Sequence, residues 1–307
     1  MKNKYLSSLL LSHLILAVLV GTVLFATKSR QTVRAPDSML AGLVVIEFLF
    51  LVRYNRTQNM LAKRGACDII LFIWIVILVW ELVTSVLSVT NLVLVPCPEN
   101  VFDTFRLRWK SMLLNVAYSM ELLSIGFLTG MILAVLLGLV VGWIPRLRSF
   151  AYPIANVMAP IPAIVFSPYL VSIMPSFRSA SVTVIILGVF WPSFLTTINR
   201  VSSIDSRILD SARMLNLRNT DMILNILLPY VLPGVVSGLR VSVTTSVLML
   251  NFAELMGATH GMGYYIQNSI TYANYTQAVA GIICIGIVVT ILSRIVTVIQ
   301  NNAIRWR

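Results

Sequence analysis

The sequence has 307 residues, of which 58% are hydrophobic and only 11% are charged, and its mean hydropathy is +0.89. An ordinary soluble domain carries about a quarter charged residues, so the composition excludes a protein for which water is the main solvent. The net charge of +12 comes from lysines and arginines clustered between apolar runs, which is typical of cytoplasmic loops of membrane proteins rather than of a nucleic-acid-binding surface.

Apolar runs of transmembrane length follow one another along the chain. A spanning helix needs about 20 apolar residues, and by this criterion the sequence predicts about eight spans. They lie near residues 5–26, 39–52, 69–95, 112–143, 152–174, 182–195, 226–250 and 278–299. The second run is short and contains Glu47, so a re-entrant or interfacial segment is an alternative there. The predicted fold is an all-α integral membrane protein, a multi-span helical bundle.

The first run follows Lys2 and Lys4 and resembles a secretory signal in outline. Its apolar part, residues 5–26, is longer than the roughly 7 to 15 residues of a signal-peptide core. We therefore expect a retained first span.

Basic segments between the apolar runs predict the orientation. They contain Arg53, Arg56, Lys63 and Arg64; Arg146 and Arg148; Arg200, Arg207, Arg213 and Arg218; and Arg305 and Arg307. If all four segments are cytoplasmic, an even number of spans must separate them, and the predicted spans satisfy this with both termini inside. The basic residues within 28–34 and 96–110 do not fit the positive-inside rule, because the predicted topology places both connections outside the cytoplasm. In the latter stretch Asp103, Phe105 and Trp109 suggest an amphipathic segment at the membrane surface.

Prolines are concentrated between residues 145 and 175. A proline removes a backbone donor and clashes with the preceding helical turn, but a span tolerates this where neighbouring helices satisfy the freed groups. The sequence therefore predicts kinked or broken helices near the middle of the bundle, a common way to build a transport pathway.

Residues 202–233 carry the most informative pattern. Apolar residues recur there at helical spacing, namely Ile204, Ile208, Leu209, Ala212 and Leu215. Ser202 with Asp205 fits a capping box, Asn216 is typical of a helix end, and Asn219 or Thr220 can cap a second helix. The pattern predicts a short amphipathic helix over residues 204–216, a sharp turn and a second helix running into a span. On the pattern alone, a rigid link to a soluble partner and an ordinary interfacial connector are equally compatible.

The same stretch resembles the EAA signature of binding-protein-dependent ABC importer permeases: Glu-Ala-Ala, three residues, Gly, nine residues, then Ile-x-Leu-Pro. The matching positions are Asp210, Ser211, Ala212, Asn216, Ile226, Leu228 and Pro229. Residues 229–240 and 253–266 are similar to permeases of the nitrate, sulfonate and taurine branch. Leu122, beside Glu121, stands where that branch has a basic residue, which marks a divergent member.

The resemblance implies a MetI-like permease core over residues 67–307, with about six spans, and an N-terminal extension over residues 1–66 with one or two more. It implies that the short helix is a coupling helix whose docking surface for an ATPase consists of Asp210, Ser211, Ala212, Arg213 and Asn216. Ala212 and Asn216 would be the steric determinants and Asp210 a polar contact.

The resemblance also implies the assembly. The expected partners are an ABC ATPase subunit dimer, a second permease copy forming a homodimer, and an extracytoplasmic solute-binding protein, in the bacterial inner membrane. ATP and Mg²⁺ would bind the ATPase, because this sequence contains no GxxxxGK[ST] phosphate loop. No cofactor is expected in this chain.

Two glutamates in apolar runs, Glu254 and Glu121, are candidates for a translocation path, because a carboxylate there is costly and usually faces a cavity or a partner. The alternatives for both are a structural hydrogen bond or an interfacial position. His13 and His260 lack metal-ligand spacing, and Cys67, Cys97 and Cys284 form no paired motif, so neither a metal site nor a disulfide is predicted.

The function implied is ATP-driven import of a small anion such as nitrate, a sulfonate, taurine or bicarbonate. A permease of the same branch for a vitamin precursor or an aromatic acid is one alternative. An ion-coupled secondary transporter with the glutamates as proton sites is another. No nucleophile, paired carboxylate or metal cluster predicts an enzyme.

Overall fold

The computed structural model of the protein describes residues 2–25, 36–91, 93–215 and 217–303. These residues form α-helices with short connections and no β-strand. The helices are α1 Lys2–Phe25, α2 Pro36–Arg56, α3 Met60–Glu81, α4 Pro98–Trp143, α5 Pro145–Met158, α6 Ser167–Ile173, α7 Phe177–Ser202, α8 Ser206–Met214, α9 Asn219–Asp221, α10 Leu228–Leu255, α11 Met262–Thr271 and α12 Tyr275–Ala303. The predicted all-α fold is confirmed.

Six helical stretches in the described ranges are long and apolar enough to cross a membrane, and one bent pair of helices brings the number to as many as seven. The bent pair covers the fifth predicted run. Helix α2 covers the second, but it is not one of the six. Its 21 residues extend the 14-residue apolar run at both ends with polar and charged residues.

The chain divides into two compact units, Met1–Ser111 with Ile266–Ile283, and Met112–Tyr265 with Cys284–Arg307. The predicted boundary after residue 66 falls inside α3, which packs along α1 in the first unit. Leu19 of α1 and Trp74 of α3 are fully buried in a cluster that Met39 and Leu43 of α2 complete.

Two carboxyl groups are buried together in the first unit. Glu81, the last residue of α3, is fully buried beside Glu99 in the first turn of α4. The Ser85 hydroxyl donates a hydrogen bond to Glu99 Oε2 over 3.4 Å. Ser85 belongs to a π-helical segment, Leu82–Val86, which widens the chain directly after Glu81.

The amphipathic segment predicted at residues 96–110 is the beginning of a longer helix. Residues 98–110 are the first turns of α4, a continuous helix of 46 residues. At a rise of about 1.5 Å per residue it is roughly 70 Å long, more than twice the thickness of a hydrocarbon core. Asp103 is buried and accepts a hydrogen bond from Arg106 Nη2 at 2.8 Å, so local pairing offsets the charge that suggested a surface location.

A ridge of small residues joins α4 to α7 in the second unit. It repeats every four residues and consists of Gly126, Gly130, Ala134, Gly138 and Gly142. A Cβ added at Gly138 would lie 2.7 Å from Thr197 Cβ, and one added at Gly142 would lie 2.8 Å from Val201 Cβ. Small residues at this spacing allow two helix backbones to approach closely, which is how spans associate in lipid without a hydrophobic driving force.

The proline-rich region forms the broken helix that the sequence predicts. Helices α5 and α6 meet at a bend of 84°, and a 3₁₀ turn, Ala163–Phe166, precedes α6. Pro160 and Pro162 lie at the break itself, where the missing N–H groups cannot continue the α-helical ladder. Helix α7 packs against both halves.

Candidate functional site

The predicted elbow, a short helix followed by a sharp turn and a long helix, is present between α7 and α10. Helix α8 covers Ser206–Met214, slightly less than the predicted 204–216, and α9 leads through a π-helical segment, Met222–Leu227, into α10. Asn216 lies outside the described residues, as does the side chain of Arg213.

The caps of the elbow differ from the predicted ones. Asp205 begins α8, because its Oδ1 accepts a hydrogen bond from the Arg207 backbone N at 2.9 Å. Ser202 is instead the last residue of α7, and its hydroxyl donates to the Ile198 carbonyl. Asn219 makes no cap, since its Oδ1 accepts a hydrogen bond from Trp143 Nε1 at 3.1 Å. This last contact ties the end of α4 to the start of α9.

The inner face of α8 is narrower than the periodicity predicts. Ile204 and Ala212 are buried in a cluster with residues from the ends of the long helices, namely Val135, Leu139, Val201, Met222, Leu227 and Val231. Leu209 packs at its edge, whereas Ile208 and Leu215, expected on this face, are 43% and 73% exposed. A short helix leaves little room for a wide apolar stripe, so the cluster accepts only one residue per turn.

Ala212 therefore does not present its side chain to a partner. It is 3% exposed, so its small side chain faces the bundle and sets how closely α8 approaches it. Asp210 and Ser211 are exposed, and the docking surface that includes these three residues stays a prediction. The Ser211 hydroxyl donates to the Arg207 carbonyl at 2.8 Å.

The outer side of the elbow carries exposed apolar side chains. We call it the outer face and define it as Ile208, Met214, Leu215 and Leu217. Met214 is 89% exposed, and the other three range from 37% to 73%. Apolar side chains outside the long helices, on a segment with Asp210 and Arg218 beside them, are typical of an interaction surface.

The end of the signature forms the bend into α10. Pro229 has no N–H for the residue four positions before it, and its ring crowds that carbonyl. The π-helical segment Met222–Leu227 ends directly before Leu228 and Pro229, so the wider turn accommodates the proline. Ile226 and Leu228 pack against the same cluster as Ala212. The buried side of α8 is thereby in the same cluster as the first turns of α10.

A cavity of about 500 Å³ lies behind the elbow. Its walls include Trp143 at the end of α4, Tyr152 of α5 and Leu209 of α8. The basic side chain of Arg148 also lines it.

Glu254, a candidate path residue, is 1% exposed near the end of α10. Its Oε1 accepts a hydrogen bond from the Ser119 hydroxyl and its Oε2 one from the Gly263 backbone N, both at 2.7 Å. Ser119 Oγ also accepts a hydrogen bond from the Met262 N at 2.9 Å. The carboxylate thus joins α4, α10 and the start of α11, and we call this arrangement the Glu254 clamp.

Glycines make the Glu254 clamp possible. Gly261 has a φ of 114°, a region that other residues rarely adopt, and a Cβ there would collide with the Glu254 carboxylate. Its N–H donates to Asn115 Oδ1 at 2.9 Å. A Cβ at Gly263 would lie 2.5 Å from the Asn251 carbonyl oxygen. The GMG spacing was visible in the sequence, but its partners Asn115 and Ser119 lie more than 140 residues away.

Glu121, the second candidate path residue, is half-exposed and accepts a hydrogen bond from Arg178 Nη2 of α7. Its neighbour Leu122 is fully buried. Arg178 of α7 thus places a basic group beside Glu121 in the middle of α4.

Six stretches of spanning length, one broken helix and an elbow between two long helices define a polytopic membrane protein, and the described residues contain no cluster of three or more potential metal ligands. Residues 126–306, more than half of the chain, match the family described as "Binding-protein-dependent transport system inner membrane component", and the chain belongs to this family.

Three named permeases each align with most of this chain. The SsuC permease of Bacillus subtilis (strain 168), named for aliphatic sulfonates, is 25% identical over 76% of this chain and 85% of its own length. The nitrate import permease NrtB of Synechococcus elongatus is 26% identical over 71% and 82%. The taurine transport system permease TauC of Escherichia coli (strain K12) is 20% identical over 83% and 92%.

An inward-facing structure of the MetNI methionine ABC transporter aligns with 66% of this chain and 97% of its own, with 18% identity and a TM-score of 0.48. The family and the named relatives establish that this chain is a multi-pass permease component of the inner membrane and not an enzyme.

Proposed function

We propose that this chain is the permease subunit of an ATP-driven importer and that the outer face of the elbow is where an ATPase subunit docks. The observation that carries this proposal is the two-sided elbow. One side of α8 buries Ala212 against the ends of the long helices, and the opposite side exposes Asp210 and Met214. A partner that pushes on the outer face moves the bundle through the inner one.

The proposed assembly contains two permease copies, two ATPase subunits and an extracytoplasmic binding protein. ATP and Mg²⁺ bind the ATPase subunits, whose closure brings the two elbows together and shifts the permease from an inward- to an outward-facing state. The free energy of ATP binding thereby shifts the equilibrium between the inward- and outward-facing conformations. The path between the copies is where Glu121 and Glu254 remain candidates.

The proposed cargo is a small anion. The relatives named for sulfonates, nitrate and taurine support this class, because all three names share a small oxyanion group. The binding protein is expected to select the individual anion, so the permease sets the class of solute.

Co-purification tests the docking surface. We expect an ATPase with a Walker motif, co-expressed with the permease, to co-purify with the unaltered chain. Met214→Asp should reduce both co-purification and transport-coupled ATP hydrolysis about tenfold or more, because a desolvated docking contact contributes about 1 to 2 kcal/mol and 1.4 kcal/mol is a factor of ten.

Leu61→Asp is the matched control. Leu61 is 79% exposed and lies in another basic segment that the sequence predicts to be cytoplasmic, so the substitution changes charge and polarity equally without touching the elbow. Equal losses in both variants would contradict docking at the outer face. If no ATPase co-purifies, and an uncoupler abolishes uptake while ATP is held constant, the chain is an ion-coupled transporter instead.

A further inference from the structure

A small groove lies on helices α7 and α10, which pack against each other in the second unit. Its volume is about 110 Å³. At Gly238 an added Cβ would meet no atom within 4 Å, so this glycine borders open space. The groove is large enough for a small ion, and its lining is largely apolar with a few hydroxyl groups, namely Met131, Pro192, Ser193, Thr196, Gly234, Val235, Gly238 and Ser242.

Arg200 adjoins this groove through Gly234, one of its lining residues. It is in the last turn of α7, four residues after Thr196, so the two side chains lie on the same side of the helix. A Cβ at residue 234 would collide with Cζ, Nη1 and Nε of Arg200. The guanidinium thus lies directly over the Gly234 backbone.

Within the part of the chain that the structure describes, the guanidinium of Arg200 forms no ion pair with an acidic side chain. The ion pairs of the described residues are His13–Glu47, Arg106–Asp103 and Arg178–Glu121. Arg200 Nε is buried and makes no hydrogen bond to described protein atoms. The dipole of α7 favours a cation in its last turn, but it does not account for a buried donor held over a glycine. A buried donor without an acceptor is costly, and an oxyanion is the partner that suits the planar guanidinium fork.

We propose that Arg200, beside the Gly234 end of this groove, forms a subsite for the oxyanion group of the transported solute. The inference rests on the proposed function and adds a site to it. Arg200 belongs to the basic segment that the sequence predicts to be cytoplasmic, so the subsite lies at the inner mouth of the pathway. The Thr196 hydroxyl is not a donor to the anion, because it donates its hydrogen bond to the Pro192 carbonyl at 2.7 Å. One guanidinium with few further donors holds the anion weakly, which suits a point of release.

The test uses the permease–ATPase complex in phosphatidylcholine nanodiscs without the binding protein. Equilibrium dialysis with nitrate, taurine and ethanesulfonate measures binding to the complex directly. We expect at least one probe to bind and Arg200→Gln to weaken that binding about tenfold, because a charged hydrogen-bond donor is lost. Arg200→Lys, which keeps the charge but loses the fork, should show an intermediate affinity.

Two further variants separate the site from folding and from net charge. Gly238→Leu fills the groove without colliding with neighbouring atoms and should also weaken binding. Arg240→Gln removes the same charge from α10 at an exposed position and should bind like the unaltered complex. Binding of none of the probes, or equal affinities for Arg200→Gln and Arg240→Gln, would overturn the proposal.

A phosphate headgroup of a lipid has the same chemistry as the cargo. Repeating the dialysis in nanodiscs with phosphatidylglycerol distinguishes the two sources, and loss of probe binding there would show that Arg200 holds a lipid, against the proposal. Failure of the proposed function is a separate result, since it appears as a lack of ATPase co-purification with the unaltered chain.

Discussion

At Glu254 a carboxylate lies at the end of a long apolar helix, and both of its oxygens accept hydrogen bonds within the same chain. Burial of a charged group is tolerated only with such partners. The Glu254 clamp holds residues 261–263 against α4 and α10, so this carboxylate acts as a structural link in the single chain, whatever it does in an assembled pathway.

Removal of the Ser119 hydroxyl tests the Glu254 clamp. Ser119→Ala leaves Glu254 Oε1 and the Met262 N–H buried without this partner, so we expect the free energy of unfolding to fall by about 1 to 3 kcal/mol. Thermal unfolding in detergent measures the loss, and hydrogen exchange at residues 261–263 should become faster. Ser246→Ala is the control, because Ser246 is equally buried but bonds only to the Ser242 carbonyl of its own helix. Equal losses in both variants would argue against a clamp.

Cys97 is a second residue whose chemistry depends on burial. It is fully buried between two spanning stretches, and burial, followed by the nearby negative charge of Glu99, raises the pKa of its thiol to about 12. The thiolate is the reactive form, and its fraction rises with pH toward this high pKa. At pH 8 it is therefore about one part in ten thousand.

We expect Cys97 to resist alkylation in the native protein. In a chain with Cys67→Ser and Cys284→Ser, Cys97 is the remaining cysteine, and iodoacetamide at pH 8 should leave it unmodified until the protein is denatured. Mass spectrometry before and after unfolding provides the measurement. Rapid labelling in the folded state would contradict its burial.

Among the elements, α4 and α7 are joined by the small-residue ridge rather than by large side chains. Each glycine of the ridge faces a β-branched residue or backbone of α7. In lipid, such close packing replaces the hydrophobic effect as the source of helix association. The elbow is attached to the far end of this rigid pair, since Val201 contacts both Gly142 and the cluster around Ala212.

Adding one methyl group to the ridge should separate α4 from α7. In Gly138→Ala the new Cβ lies 2.7 Å from Thr197 Cβ, and the resulting overpacking should cost about 1 to 3 kcal/mol. Gly286→Ala makes the same change in α12, where nothing lies within 4 Å, and should be neutral or more stable because alanine favours helix. Thermal unfolding of both variants in one detergent compares them. A Gly138→Ala protein as stable as the control would mean that the ridge does not set the helix distance.

For the whole molecule, the basic segments and the long helices give a consistent topology when α5 and α6 count as one span. Two crossings then separate each pair of basic segments from residue 53 to the C-terminus. The location of the N-terminus depends on whether α2 crosses the membrane. If α1 is the single crossing before residue 53, the N-terminus lies outside the cytoplasm.

Reporter fusions at the two ends check this topology. The sequence predicts both termini in the cytoplasm, so green fluorescent protein should be fluorescent, and alkaline phosphatase inactive, at either end. A C-terminal fusion is the internal reference, since its location does not depend on α2. Phosphatase activity at the N-terminus alone would show that α2 does not cross the membrane.

Local sequence patterns determined the positions of the main helices and the kind of protein. Hydropathy located the long helices, because every backbone group in lipid must be satisfied within a helix. The prolines at residues 160 and 162 predicted the broken helix, since a missing donor acts on its own turn. The signature from Asp210 to Pro229 located the elbow, and the family match confirms the kind of protein.

Only the tertiary structure decided which side of each element is buried and what lies opposite. Periodicity assigned Ile208 and Leu215 to the inner face of α8, but the cluster around Ala212 has room for fewer side chains. The partners of Glu254 and the glycine beneath Arg200 come from distant parts of the sequence. A local pattern records how a residue affects its own helical turn, whereas these contacts depend on how closely helices approach each other. That approach is set by small residues whose partners the pattern does not reveal.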